Sequence, residues 1–486
     1  MRVSSAGELA GLIHAEGLAV ELIGDPSVPV GPQVVIDSRQ AGPGTLFVAL
    51  PGEHVDGADF TLAAAEAGAA AALVNRPTSA PLTHLIVPDA EAGLSLLGRA
   101  LVRRHRATGL HTVAITGSSG KTSTKDLLAQ VLEAAGPTVS PQGSFNNEIG
   151  VPLTACQVDD GTRFLISEMG ARAIGNIAWL CSIVPPDIAA VLNVGTAHLG
   201  EFGSQDAIAR AKGEIVEALD PGGWAVLNAD DPRVDAMAAR TGAHLALWSL
   251  HPHRALDAEL AVRALDIQAD QLQRHRFTLQ VARAGHIEQH PVVLQLVGAH
   301  QVANATAAAT MALALGLDAG LVARRLSQAA SRSHWRMELH DLPNGARIIN
   351  DSYNANPDSM AAAVDTLAAM GAARRVGHPQ ARTIAILGDM AELGASAPDL
   401  HRQLGATLGA EGIDELYAVG GHAADLAEGA HAAGVRTHTV DREQIAALLD
   451  LHPGDVVLIK ASRVVGLDRL AATLIGTPTS GRDGNA

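Results

Sequence analysis

Aromatic residues make up only 2% of this 486-residue chain, too few for a surface that stacks unpaired bases. A formal charge of −16 argues the same way about duplex nucleic acid, whose phosphates call for clustered lysine and arginine. Cysteine is scarcer still. Cys156 and Cys181 are the only two, in neither C-x-x-C nor metal-ligand spacing, so no disulfide framework is expected and a reducing cytoplasm fits best. No apolar run approaches the roughly 18 residues of a membrane span. The N-terminal MRVSSAGELAG also lacks the apolar core of a signal peptide. A cytoplasmic protein is expected, with no nucleic-acid partner and no membrane insertion.

What the chain does have is alanine, within a hydrophobic fraction of 47%, and enough length for about three domains with cores of their own. Its most informative stretch is TVAITGSSGKTSTKDLL, residues 112–128. A buried strand, a glycine-rich turn and a helix follow one another there, the arrangement that turns backbone N–H groups and a helix N-terminus toward a polyphosphate. Lys121 adds a full positive charge, and Thr122 is placed to offer its hydroxyl to Mg²⁺. The loop reads T-G-S-S-G-K-T, shorter than the common P-loop spacing, because its first glycine is Gly117 and Ile115 occupies the usual position.

The fold expected is α/β in three domains: a small N-terminal α/β domain (1–110), a central P-loop ATPase-type domain with a mostly parallel sheet (111–332), and a C-terminal Rossmann-like domain (333–486). In the first, residues 34–39 and 44–50 read as strands. Asp37, Ser38 and Arg39 follow a buried strand as either a small-molecule site or a structural loop. In the second, residues 141–154 read as a polar loop holding Asn146 and Asn147, and strands end near Glu168 and His198. Both would face the phosphates if the sheet is parallel, since residues just past strand C-termini gather in one crevice. A capping glutamate and a surface histidine explain them equally well. By pattern, Lys212 is a solvated helix lysine, and Asn304 is either an N-cap or a base-contacting amide. Residues 327–335 read as a linker, 346–360 as strand, polar loop and helix start, and 477–486 as a disordered tail.

Taken in order, TGSSGKTSTKD, SEMGA, NVGTAHLGEFGS, AKGEI, NDSYNANP, LGDMAELG and KASR resemble the Mur ligases. DSYNANP at Asp351–Pro357 resembles the MurF type, which joins D-alanyl-D-alanine to UDP-N-acetylmuramoyl-tripeptide. The resemblance implies ATP bound by Gly117, Ser118, Ser119, Gly120, Lys121, Thr122 and Ser123. It places Asn304 at the adenine, Arg336 at the terminal phosphate, and Asp351, Tyr353 and Asn354 at the nucleotide as the third domain closes. Two magnesium ions are implied at Thr122, Glu168 and His198, with Lys212 carbamylated by CO₂ and joining the metal site. Asp37, Ser38 and Arg39 would hold the uridine nucleotide, and Asn146 and Asn147 the sugar-peptide. Lys460, Ser462 and Arg463 would contact substrate from the third domain, which also takes the dipeptide.

Amide synthesis through an acyl phosphate follows from that resemblance. Lys121 and Arg336 would offset the repulsion between carboxylate and ATP, while His198 or Asp351 would help deprotonate the incoming amine. A monomer is expected. Two departures stand out: Gln301 follows His300 where the family has asparagine, and Ala461 stands where it has glycine. A sibling ligase adding a diamino acid would carry an Asp-Asn-Pro-Arg motif in the third domain, and a folylpolyglutamate synthase would place its P-loop much nearer the N-terminus. A nucleotide-gated interaction protein would hydrolyse ATP without depending on a second substrate.

Overall fold

A computed structural model of the chain describes residues 1–476 apart from Glu53, Gln142, Ala197 and His198; the tail expected at 477–486 lies outside the described residues. Three large sheets follow one another along the sequence. The first has five strands, in the order Glu21–Ile23, Thr83–Ile86, Ala71–Val74, Leu46–Val48, Val34–Val35, parallel except for the antiparallel first edge. Residues 34–39 are strand only at Val34–Val35, because Asp37 caps a 3-10 turn over Ser38–Gln40 and ends the pairing.

The second sheet has nine strands. Its parallel part places His111–Thr116 between Phe164–Glu168 and Ile188–Val191, and an antiparallel extension is built from Leu260–Ala269, Arg274–Arg283 and His286–Val297. The parallel strands read as near-continuous apolar runs because helices cover both faces, whereas the antiparallel strands mix buried and exposed residues. The polar stretch 141–154 is a loop only in part, since Gly150–Ala155 folds as a helix. The third sheet orders its strands Glu338–Asp341, Arg347–Asn350, Val456–Lys460, Thr383–Leu387, Glu415–Ala418, Arg436–Thr439, with only the first antiparallel. Mixed α/β layers with parallel-rich sheets in three domains are therefore observed.

One apolar cluster runs from Leu9, Leu46 and Leu73 through Leu94 and Leu97 to Val151, Leu165, Ile177 and Ile215. The expectation that each domain buries a core of its own is thus incomplete: helix Ala90–Arg106 joins the first two. Gly98 lets it approach helix Gly150–Ala155, for a Cβ there would lie 3.1 Å from Pro152 O and 3.2 Å from the Ala155 Cβ. Overpacking of a seam this tight costs about 1–3 kcal/mol. Gly98→Val is therefore expected to lower the unfolding free energy by an amount in that range, read as a lower midpoint in urea unfolding followed by circular dichroism; an unchanged midpoint would show that the seam yields freely.

Candidate nucleotide and ligation site

The glycine loop lies at the C-terminal end of strand His111–Thr116. Gly120 adopts φ +79° at the N-cap of helix Lys121–Leu132 and supplies no side-chain cap, so the first N–H groups of the helix face the loop. A side chain at Gly120 would collide with Asn304 Oδ1, and one at Gly117 would lie 3.0 Å from the Leu192 Cβ. Asn193, just past strand Ile188–Val191, accepts the N–H groups of Ser118 and Ser119 at 2.9 Å each, while Ser118 Oγ accepts from Gly195 N at 2.9 Å. Lys121 Nζ donates across the loop to Gly117 O at 2.6 Å.

Around the loop, charge is concentrated away from water. Burial lowers the pKa of Lys121, and the negative charge of Glu168 partly restores it while Arg336 opposes that. Glu168 is 1% exposed. Its Oε1 accepts from Asn146 Nδ2 at 2.8 Å, whereas its Oε2 is buried with no hydrogen-bond partner among the described residues. Among those residues Thr116 Oγ1 and Ser167 Oγ are buried and unpartnered as well. Such atoms are rare in folded proteins, and an unpartnered carboxylate oxygen near a glycine loop suits a hard divalent cation.

Lys212 requires a correction. It is not a solvated helix lysine but 3% exposed, and burial beside Lys121 drives its pKa well below the ordinary lysine value. The signal was available in the sequence: Ile208, Lys212, Ile215 and Val216 share one stripe of helix Gln205–Glu217, and the other three are buried apolar residues. Asn304 is no N-cap either, since helix His300–Ala314 is capped at Ala299. Its Oδ1 accepts from Thr124 Oγ1 at 3.3 Å and its Nδ2 donates to Gln301 Oε1 at 3.0 Å, so it buttresses the glycine loop from behind.

The third sheet closes on this loop. Arg336 Nη2 donates to Thr122 Oγ1 at 3.0 Å, and its guanidinium carbon lies 4.3 Å from the Tyr353 ring centre. Tyr353 OH bonds Ser144 Oγ, and Thr196 N donates to Asp358 Oδ2 at 3.2 Å. Trp335 (φ +60°) and Met337 (φ +52°) flank Arg336 in left-handed backbone, a strained conformation for bulky residues of about 1–3 kcal/mol each. Neighbours hold it in place: Tyr353 N donates to Trp335 O at 3.2 Å, and Met337 N donates to Asp351 Oδ1 at 3.2 Å.

Lys460 Nζ donates to Asp351 Oδ2 at 2.6 Å and to Asn354 O at 2.9 Å, so Asp351 is an anchor of the 351–357 loop with both oxygens engaged. Ser462 is likewise buried and accepts from Ala391 N at 2.8 Å, whereas Arg463 lies exposed over the Trp335 ring at 4.2 Å. Asn147 Oδ1 accepts from Gly150 N at 2.9 Å and orders the next helix. Asp37, Ser38 and Arg39 form a turn just past the edge strand Val34–Val35 of the first sheet, where the Arg39 guanidinium holds the Asp37 carboxyl below the usual range. Ser123 lies in the first turn of the P-loop helix. His198 lies outside the described residues.

A glycine cradle with a buried lysine, an orphaned carboxylate oxygen and an arginine brought from another domain defines a P-loop nucleotide-using enzyme. The family models agree: residues 33–104 match "Mur ligase family, catalytic domain", 115–312 match "Mur ligase middle domain", and 335–463 match "Mur ligase, glutamate ligase domain". This chain belongs to the Mur ligase family. A Mycobacterium tuberculosis relative named UDP-N-acetylmuramoyl-tripeptide–D-alanyl-D-alanine ligase is 41% identical over 95% of this chain and 97% of its own. An Escherichia coli protein of the same name is 34% identical, over 91% and 93%. Among solved structures, MurF from Acinetobacter baumannii matches with a TM-score of 0.82 and 29% identity, covering 98% of this chain and all of that one. MurF from Thermotoga maritima in complex with ADP matches at 0.74 and 27%, over 91% and 97%.

His300 offers a check on how dry the site is. Burial pushes its pKa from 6.5 down to about 4, and its Nδ1 is shut off without a partner. Between those values the unfolded chain binds the extra proton and the folded one does not, so stability from this group is complete above about pH 6.5 and falls as pH drops toward 4. His300→Gln is expected to flatten the decline in urea midpoint between pH 7 and pH 5; parallel curves for the two proteins would contradict the burial.

Proposed function

We infer that this chain is an ATP-dependent ligase forming the peptide bond between UDP-N-acetylmuramoyl-tripeptide and D-alanyl-D-alanine in peptidoglycan precursor synthesis. Relatives of that name cover it almost end to end. The observation that carries the chemistry is Arg336, delivered from outside the central sheet onto Thr122 at the glycine loop.

A carboxylate attacking ATP sets two anions together. Lys121, the loop amides and Arg336 supply fixed positive charge where negative charge accumulates, which lowers that barrier without reorganisation. The product of the first step is an acyl phosphate. Attack on its carbonyl carbon by the dipeptide amine forms the amide and expels phosphate. Closure of the third domain over the glycine loop keeps water from the acyl phosphate in the interval.

Magnesium is assigned to Thr122 and Glu168, on the strength of the unpartnered Glu168 Oε2. When bound it neutralises phosphate charge and orients the γ-phosphoryl group. Carbamylation of Lys212 by CO₂ is also proposed. The attacking amine must be neutral, a form that burial favours, and the product carbamate would set a negative charge beside the Lys121 ammonium.

Asp37, Ser38 and Arg39 are proposed for the uridine nucleotide and the 146–147 amides for the sugar-peptide. The dipeptide is assigned to the third domain, where a cleft of about 610 Å³ is lined by Asp389, Gly420, Asp441, Arg442, Val464 and Val465. One chain supplies every segment of the site, which favours a monomer. No described helix is long and apolar enough to cross a membrane, in keeping with a proposed cytoplasmic location.

ADP formation is expected only when ATP, the UDP-tripeptide and D-alanyl-D-alanine are all present, with neither diaminopimelate nor lysine replacing the dipeptide. Lys121→Ala should reduce it on the order of a hundredfold or more. ATP turnover indifferent to both acceptors would defeat the ligase reading. For the carbamate, ¹³C-bicarbonate should give the wild-type protein a carbamate carbon resonance that is missing from Lys212→Met; identical spectra would remove it.

A further inference from the structure

A second lysine of the P-loop helix, one turn beyond Lys121, has no part in the chemistry above. Lys125 is 1% exposed, among the largest fully buried side chains of the protein. Its ammonium is fully engaged: it donates to Pro141 O at 2.6 Å and to Gly143 O at 3.1 Å, and pairs with Asp126 Oδ1 at 2.7 Å. The other oxygen of Asp126 accepts from Ser333 Oγ at 2.6 Å.

The partners matter for where they lead. Pro141 and Gly143 precede Ser144, which bonds Tyr353, and Asn146, which bonds Glu168. Ser333 lies three residues before Arg336, at the start of the strained segment that carries its guanidinium to Thr122. Burying a full charge is costly unless every donor is matched, and methionine would fill the same space without that demand. The charge is therefore matched to the two segments that the nucleotide helix must keep in register.

We propose that the Lys125–Asp126 pair is a positioning device, in which Lys125 fixes the 141–147 loop for the sugar-peptide and Asp126, through Ser333, fixes the hinge that delivers Arg336. The proposal rests on the ligase reading and deepens it. Neither residue touches the reacting atoms. The two arms separate in KM for the UDP-tripeptide, because only Lys125 holds the acceptor loop, whereas both bear on turnover.

The test is steady-state ADP release from the full chain with ATP, UDP-tripeptide and D-alanyl-D-alanine, for wild type, Lys125→Met and Ser333→Ala. Wild-type turnover that needs all three substrates establishes the ligase reading; its failure sinks that reading and this inference alike. Given turnover, Lys125→Met is expected to raise KM for the UDP-tripeptide about tenfold and to lower kcat by a similar factor, with KM for ATP within about twofold of wild type. Ser333→Ala should lower kcat several-fold and leave both KM values in place. A folded Lys125→Met protein with wild-type constants, or with KM for ATP raised as much as that for the tripeptide, overturns the proposal. Should Lys125→Met fail to fold, Ser333→Ala decides: an unchanged kcat overturns it.

Discussion

Two lysines and one carboxylate withdrawn from water around the glycine loop set the terms for this protein. Burial disfavours the charged forms of Lys121 and Lys212, the positive charge of Lys121 lowers the Lys212 pKa further, and Glu168 lies buried beside them. Such a cluster is tolerable if the missing negative charge arrives with a ligand, as it does when a polyphosphate and its cation bind. The glycine loop, the Asn193 clamp and the Asn304 buttress hold the cradle open with its amides aligned, so little reorganisation remains for the bound state.

Closure is the second constraint. The nucleotide loop belongs to the nine-stranded sheet, and the segments that complete it come from the six-stranded one. Arg336 crosses between them on backbone whose two neighbours occupy left-handed φ, and Asp351, Lys460 and Tyr353 restrain that geometry through the 351–357 loop. Strain next to the arginine proposed for the terminal phosphate is understandable if the closed arrangement is one of two that the enzyme visits during turnover. The N-terminal sheet is treated differently: its core is continuous with the central one through helix Ala90–Arg106, which favours a fixed platform.

Much of this was legible in the residues, and what was not had physical reasons. The strand, glycine turn and helix around Lys121 are local, and local patterns survive translation into structure. Asn193 was hidden because its role arises only once strand Ile188–Val191 pairs beside His111–Thr116. Lys212 was misread as solvated, although its place in the stripe with Ile208 and Ile215 was open to a helical projection. Lys125 shows the opposite limit, for nothing local marks a lysine whose partners are carbonyls 16 and 18 residues away. Residues 34–39 promised a longer strand than forms, since an aspartate that can cap a turn competes with the ladder.

Glu168 concentrates the central claim, because its buried oxygen, unpartnered among the described residues, is what favours the proposed cation and phosphate site over a structural turn. The most direct measurement is ligase activity titrated with Mg²⁺ at saturating ATP for wild type and Glu168→Gln, with thermal melting as the folding control. A folded variant that needs at least about tenfold more Mg²⁺ for half-maximal activity is expected, the loss of one charged oxygen ligand being worth on the order of 1.4 kcal/mol or more. Superimposable titrations would contradict it, and with it the reading of this buried charge cluster as the seat of phosphoryl transfer.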